Sequence, residues 1–193
     1  MPRKPDSEAS KDAILLAGVC LLKSGTSQRV SVDAVAKEAG VAKGLVHYHF
    51  KTKKGLFQTV ASRLAEDRRS AWQEAFRKRD PQQAIDATWT LLTKESNDGT
   101  LRAWDTLFGS PGVLPEQAVK NETDAFGKAL GAAAQEMLAR LGLRPSIPVS
   151  EVGALLSVIV QGMGTMLVRG MEPEGLQGAY AAAWVGLLSL TRQ

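Results

Sequence analysis

The side chains best placed to do chemistry stand close together near the start of the chain, in the segment VDAVAKEAGVAKGLVHYHFK, Val32 to Lys51. An ammonium (Lys43), two imidazoles (His47 and His49) and a phenol (Tyr48) crowd one short stretch, and Lys51, Lys53 and Lys54 follow at once. Three chemistries are open to such a set: metal ligation, general acid–base catalysis, and hydrogen bonding to a polyanion. His47 and His49 are the only histidines. On a helix, residues two apart point to nearly opposite sides, so the two rings cannot grip one ion, and no Cys or carboxylate cluster stands beside them. No metal is expected. Nor does the chain offer paired carboxylates at useful spacing, a Ser/His/Asp set, a Walker-type loop or a CxxC pair, so neither an enzyme nor a cofactor is expected. The alternative to a polyanion surface is a helical adapter, which would need no such gathering of lysines.

The elements that must hold these groups are two short helices. Ser31 begins the first as N-cap, with Asp33 soon after. Val32, Val35, Ala36 and Ala39 give it one apolar face. Gly40 breaks it by supplying a left-handed residue at little cost, and a second helix opens at Ala42. Ala36 is the small residue where the helices touch, and Val46 turns inward to lock them together. Lys43, Gly44, His47 and Tyr48 are left on the outer face, the division that a helix lying in a DNA major groove requires. A preceding helix is expected over 8–24, closed by Gly25, and a following one over 53–79, closed by Asp80-Pro81.

Charge follows the same division. Residues 1–80 hold 16 Lys+Arg against 9 Asp+Glu, and residues 81–193 hold 8 against 11. A basic first part joined to a mildly acidic remainder points to a polyanion-binding module attached to a domain with another task. Cys20 lies among Val19, Leu21 and Leu22, where a buried, inert thiol is expected; a lone cysteine suits a reducing cytoplasm. The apolar run from Val152 to Val168 carries Ser157, Gln161, Gly162, Gly164 and Thr165, so it is read as marginal in length and too polar to span a bilayer.

The stretch AKEAGVAKGLVHYHFKTKKGLF closely resembles the TetR family signature, in which a pattern like AxxAGVSKGTLYHYFxxKxxLF spans the turn, the reading helix and the start of helix four. Ala36, Ala39, Gly40, Val41, Lys43, Gly44, Phe50, Lys53, Leu56 and Phe57 carry the match. The resemblance is confined to roughly residues 9–69. It implies an all-α protein: a basic N-terminal arm (1–8), a three-helix helix-turn-helix domain (9–69, motif 32–51) and a helical effector-binding and dimerisation domain (70–193). It further implies a ligand-responsive transcriptional regulator, a repressor by the family's usual mode, binding a palindromic double-stranded DNA operator as a homodimer in the cytoplasm, with no membrane partner. DNA contacts are expected from Ser31, Ala42, Lys43, Gly44, His47, Tyr48, His49, Thr52 and Lys53. Lys43 can reach a guanine edge or a phosphate, and Gly44 lets the backbone approach. His49 and Lys53 resemble family phosphate clamps, Thr52 is placed to cap helix four, and Lys51, Lys54 and Arg29 add unspecific attraction. The sequence departs from the signature at His47, Leu45 and Ala42, each replacing a residue with a hydroxyl, and in the loop from Gly25 to Ser31, which is one residue long for the family with Thr26 in place of an aromatic.

Beyond residue 80, helices are expected near 82–96, 101–109, 116–141, 150–170 and 174–191, with no strand. The last two read as a dimerisation pair, with Leu155, Leu156, Ile159, Trp184 and Leu188 supplying buried area. Trp89, Trp104, Asp105, Phe108, Phe126 and Gln161 are the expected lining of a pocket for a small hydrophobic or planar effector, against the alternative of ordinary core.

Overall fold

The computed structural model describes residues 7–25, 30–78 and 80–192. Arg3, Lys4, Thr26 and Arg29, with most of the expected arm, lie outside them. Among the described residues the chain forms α1 (Ser7–Lys23), α2 (Val32–Glu38), α3 (Lys43–Phe50), α4 (Lys53–Phe76), α5 (Pro81–Asn97), α6 (Thr100–Trp104), α7 (Glu116–Arg140), α8 (Val149–Val168) and α9 (Pro173–Ser189). The architecture is all-α. One correction is a two-residue antiparallel pair, Arg144 with Arg192 and Pro145 with Thr191. Another is the helix expected over 101–109, which is α-helical only to Trp104 and continues as a π-helical turn, Asp105–Gly109.

Two compact units result, and they do not follow a single cut near residue 69. The first takes the chain up to Leu64 together with Gly99–Val119, and the second takes Ala65–Asp98 with the chain from Lys120 onward. In the first unit, α1 buries Ile14, Leu15, Ala17, Gly18 and Leu22, one stripe at helical spacing. Cys20 falls off that stripe and is exposed, which corrects its reading as a buried thiol. Apolar neighbours in sequence do not share a helix face. The return of Gly99–Val119 is anchored on α1, where the Arg102 guanidinium donates to the Lys23 carbonyl at 3.4 Å.

The second unit packs around Trp72, Phe76, Leu92, Phe126, Leu130, Met137 and Leu187, all buried. At its centre lies an ion pair that apolar periodicity cannot reveal. Arg68 Nε donates to both Glu95 oxygens at 3.0 and 2.9 Å, and Trp72 Nε1 donates to Glu95 Oε1 at 3.0 Å. Arg68 and Glu95 are each 3% exposed. Such a pair must be matched bond for bond, because either partner alone would be a buried charge. α7 and α8 cross backbone to backbone: a Cβ on Gly153 would run into the Gly127 carbonyl oxygen. By length and composition α8 does qualify as apolar enough to cross a membrane, contrary to the sequence reading, yet 44% of its most apolar stretch is buried within the protein.

Candidate nucleic-acid interface

The two short helices are built by local rules. The Ser31 hydroxyl accepts the Ala34 N–H at 3.1 Å and so caps α2. At its other end the chain closes a Schellman motif, with the Val41 N–H on the Ala36 carbonyl at 3.0 Å and the Gly40 N–H on Lys37 at 3.2 Å. Gly40 has a φ of +65°, which a side chain would strain. Val35, Ala36, Val46 and Phe50 are buried between the helices and the rest of the unit. That fixes the rotation of α3 and leaves Ala42, Lys43, Gly44, His47 and Tyr48 exposed. Tyr48 is 65% exposed.

Two sequence expectations change here. Lys43 is not a free cation: its Nζ pairs with Asp33 of α2, 2.8 Å from Oδ1 and 3.0 Å from Oδ2. His49 follows Val46 by three residues, so its ring turns toward the packing side of α3. Its Nε2 is buried without a hydrogen-bond partner among the described residues, and the expected phosphate-clamp role is therefore not offered by that atom.

The junction between α3 and α4 is tight. Lys51 has φ 60° and ψ −49°, and the Thr52 N–H donates back to the Phe50 carbonyl at 2.6 Å, a γ-turn of the strained kind. Thr52 then caps α4 by accepting the Gly55 N–H at 3.0 Å. The turn gathers Lys51, Lys53 and Lys54, all exposed, at the start of α4 beside the outer face of α3. Lys51 Nζ lies 5.4 Å from the Tyr48 ring centre and Lys53 Nζ 5.4 Å from that of Phe57, so each cation rests on an aromatic face while staying open to an anion.

A family model of bacterial regulatory proteins, the tetR family, matches residues 14–60, which run from α1 through this turn into α4. The match covers the helix-turn-helix and leaves most of the chain outside it. The fold is shared along nearly the whole chain with solved structures. A Rhodococcus sp. protein assigned to the TetR-family transcriptional regulators aligns with a TM-score of 0.74 at 20% identity, over 93% of this chain and 98% of that one. A TetR-family transcriptional regulator from Agrobacterium tumefaciens aligns with a TM-score of 0.71 at 18% identity, over 97% and 100%. NalD of Pseudomonas aeruginosa, the secondary repressor of the MexAB-OprM multidrug efflux pump, aligns with a TM-score of 0.59 at 20% identity, over 98% and 99%. At these identities the likeness is one of fold.

The six residues expected to line one effector pocket are divided between the units. Trp104, Asp105 and Phe108 belong to the first, where Trp104 and Phe108 stack at 4.1 Å along the π-helical turn. Trp89, Phe126 and Gln161 belong to the second and are engaged separately: Trp89 lies 5.1 Å from Tyr180, Phe126 lies under the Arg68 guanidinium at 4.7 Å, and Gln161 donates to Ser157 at 2.7 Å. What the second unit does hold is an open groove of about 340 Å³ along α7 and α8, lined by Gln161 among others, and a closed cavity of about 10 Å³, lined by Trp72, Phe76, Leu156, Tyr180 and Trp184. The cavity is on the scale of one water molecule. Beside it the Tyr180 and Thr88 hydroxyls lie 2.6 Å apart, and burial pushes the Tyr180 phenol above its ordinary value, the bond to Thr88 offsetting part of the rise. Of the expected dimer residues, Leu156 and Trp184 are buried in the subunit's own core at 5% and 4% exposure. Leu155 is exposed, Ile159 and Leu188 are half-buried, and the sequence reading passed over Val158, Met166 and Val185, which stand out on α8 and α9. Their positions, three and eleven residues after Leu155 and four after Ala181, were the available signal.

Proposed function

We propose that this protein is a ligand-responsive transcriptional repressor that binds a palindromic operator as a homodimer. The observation that carries the reading is the outer face of α3: Lys43, Gly44, His47 and Tyr48 are exposed on a helix whose rotation is fixed by buried Val46 and Phe50, beside the cations of the α3–α4 turn. In a duplex complex His47 and Tyr48 reach base edges or sugar-phosphate, Lys43 leaves Asp33 for a guanine or a phosphate, and Lys53 takes a phosphate. Ser31 and Thr52 act by holding helix ends in place, and Ala42 and Gly44 by allowing close approach. A DNA partner of this kind places the protein in the cytoplasm.

The dimer face we assign is the exposed apolar surface of α8 and α9, built from Leu155, Val158, Met166 and Val185, with Ile159 and Leu188 at its edge. Leu156 and Trp184 support it from the core. A two-fold axis there would present two copies of α3 to an inverted repeat. The effector is small and hydrophobic or planar; to reach the cavity among Trp72, Tyr180 and Trp184 it must part those rings, whereas the open groove lined by Gln161 admits it directly.

Fluorescence anisotropy of the full chain on labelled duplexes tests the DNA reading. Lys53→Ala weakens every sequence alike and lowers the salt slope by about one phosphate contact. A changed sequence preference contradicts the phosphate role, and an absence of salt-sensitive duplex affinity contradicts the regulator reading as a whole. Sedimentation showing a monomer at micromolar concentration overturns the dimer.

A further inference from the structure

We infer that the first unit carries a ligand groove of its own, for a small organic anion with an apolar body, and that such an anion and DNA phosphate exclude one another there. The groove has a volume of about 520 Å³, against about 340 Å³ for the open groove and about 10 Å³ for the closed cavity in the second unit, and falls within the range of small-molecule sites. One wall is the start of α4, with Lys53, Lys54 and Phe57; the other is the segment after α6, with Thr106 and Val113; Val30 lines it as well.

The lining is divided by chemistry. Phe57, Val30 and Val113 are apolar, Thr106 supplies a hydroxyl, and the two charged groups are both cations. Among the described residues that line it there is no carboxylate to neutralise them. A neutral apolar ligand would leave Lys53 and Lys54 without a counter-charge, and a bare inorganic anion would leave the apolar wall wet. An anionic head on an apolar body satisfies both. The half-buried Phe57 ring already carries Lys53 Nζ on its face, 5.4 Å from the centre, so body and head would be received by adjoining side chains. Exclusion of DNA rests on the reading given under Proposed function, in which Lys53 takes a phosphate: one ammonium cannot serve both anions.

The test uses the full chain and 8-anilinonaphthalene-1-sulfonate, an apolar sulfonate that fluoresces when bound. Circular dichroism first confirms that each variant is folded. Val113→Glu sets a carboxylate on the apolar wall, where the dye's ring body would lie, and removes one bound equivalent of the dye. Lys54→Ala leaves that equivalent in place and weakens it roughly three-fold, as expected for one exposed charge. Saturating duplex displaces one equivalent from the natural protein and none from Val113→Glu. Titrations of both variants that superimpose on the natural protein overturn the groove as a site. A bound duplex that leaves the dye in place overturns the exclusion. Should no duplex bind, the regulator reading fails, and the comparison of Val113→Glu and Lys54→Ala with the natural protein still decides the groove.

Discussion

Asp33→Asn removes the carboxylate that holds Lys43 at 2.8 Å and keeps nearly the same size and shape. Two effects of opposite sign follow. Asp33 stands in the first turn of α2, where a negative charge is favoured by roughly 0.3–1 kcal/mol. The ion pair, with side chains 55% and 66% exposed, is screened by solvent and adds a few tenths of a kcal/mol at most. The variant is therefore expected to be less stable by about 0.5–1 kcal/mol in urea unfolding. DNA affinity moves the other way. Lys43 no longer has to leave a partner, and one negative charge fewer faces the phosphates. A gain of about 0.5–1 kcal/mol corresponds to roughly two- to five-fold tighter binding at low salt. The gain should shrink as salt rises, because screening weakens charge–charge terms first. Anisotropy titrations at two salt concentrations, beside unfolding curves, measure both effects on one preparation. Affinity that is unchanged or weaker at low salt would refute the reasoning, since Lys43 would then not leave Asp33 for DNA.

Two other substitutions test the packing that positions the site. Lys51→Gly relieves the positive φ at the α3–α4 turn; against the entropy cost of a glycine, a net stabilisation of about 0.5–1 kcal/mol is expected, a rise of about 1–4 °C in thermal melting. An unchanged or lower midpoint would show that the turn is not strained. Gly153→Ala forces apart the crossing of α7 and α8 and should cost about 2–3 kcal/mol in urea unfolding; a cost below about 0.5 kcal/mol would contradict the close approach to the Gly127 carbonyl.

What could be read from the sequence was what is decided locally. The Ser31 cap, the Gly40 reversal and the rotation of α3 each depend on residues within a few positions, and each is present in the structure. What escaped was decided between elements. Asp33 and Lys43 are ten residues apart and meet only because α2 and α3 cross. Arg68 and Glu95 are charged residues on helices otherwise read for their apolar positions, and nothing in either local pattern marks them as partners. Leu155 and Leu156 are adjacent and chemically alike, so composition could not say that one faces out and the other in. The anchoring of Gly99–Val119 on α1 is long-range in the same sense, and it is why a single boundary near residue 69 does not describe the packing.

The central claim, that the outer face of α3 reads DNA, is tested most directly by selecting bound duplexes from a random pool with the natural protein and with His47→Ala. An inverted repeat is expected from the natural protein, and loss of preference at one defined position in each half-site from the variant, with the remaining positions kept. Identical selected sequences from the two proteins would contradict the placement of His47 against the bases, and no enrichment of any duplex would contradict the claim itself.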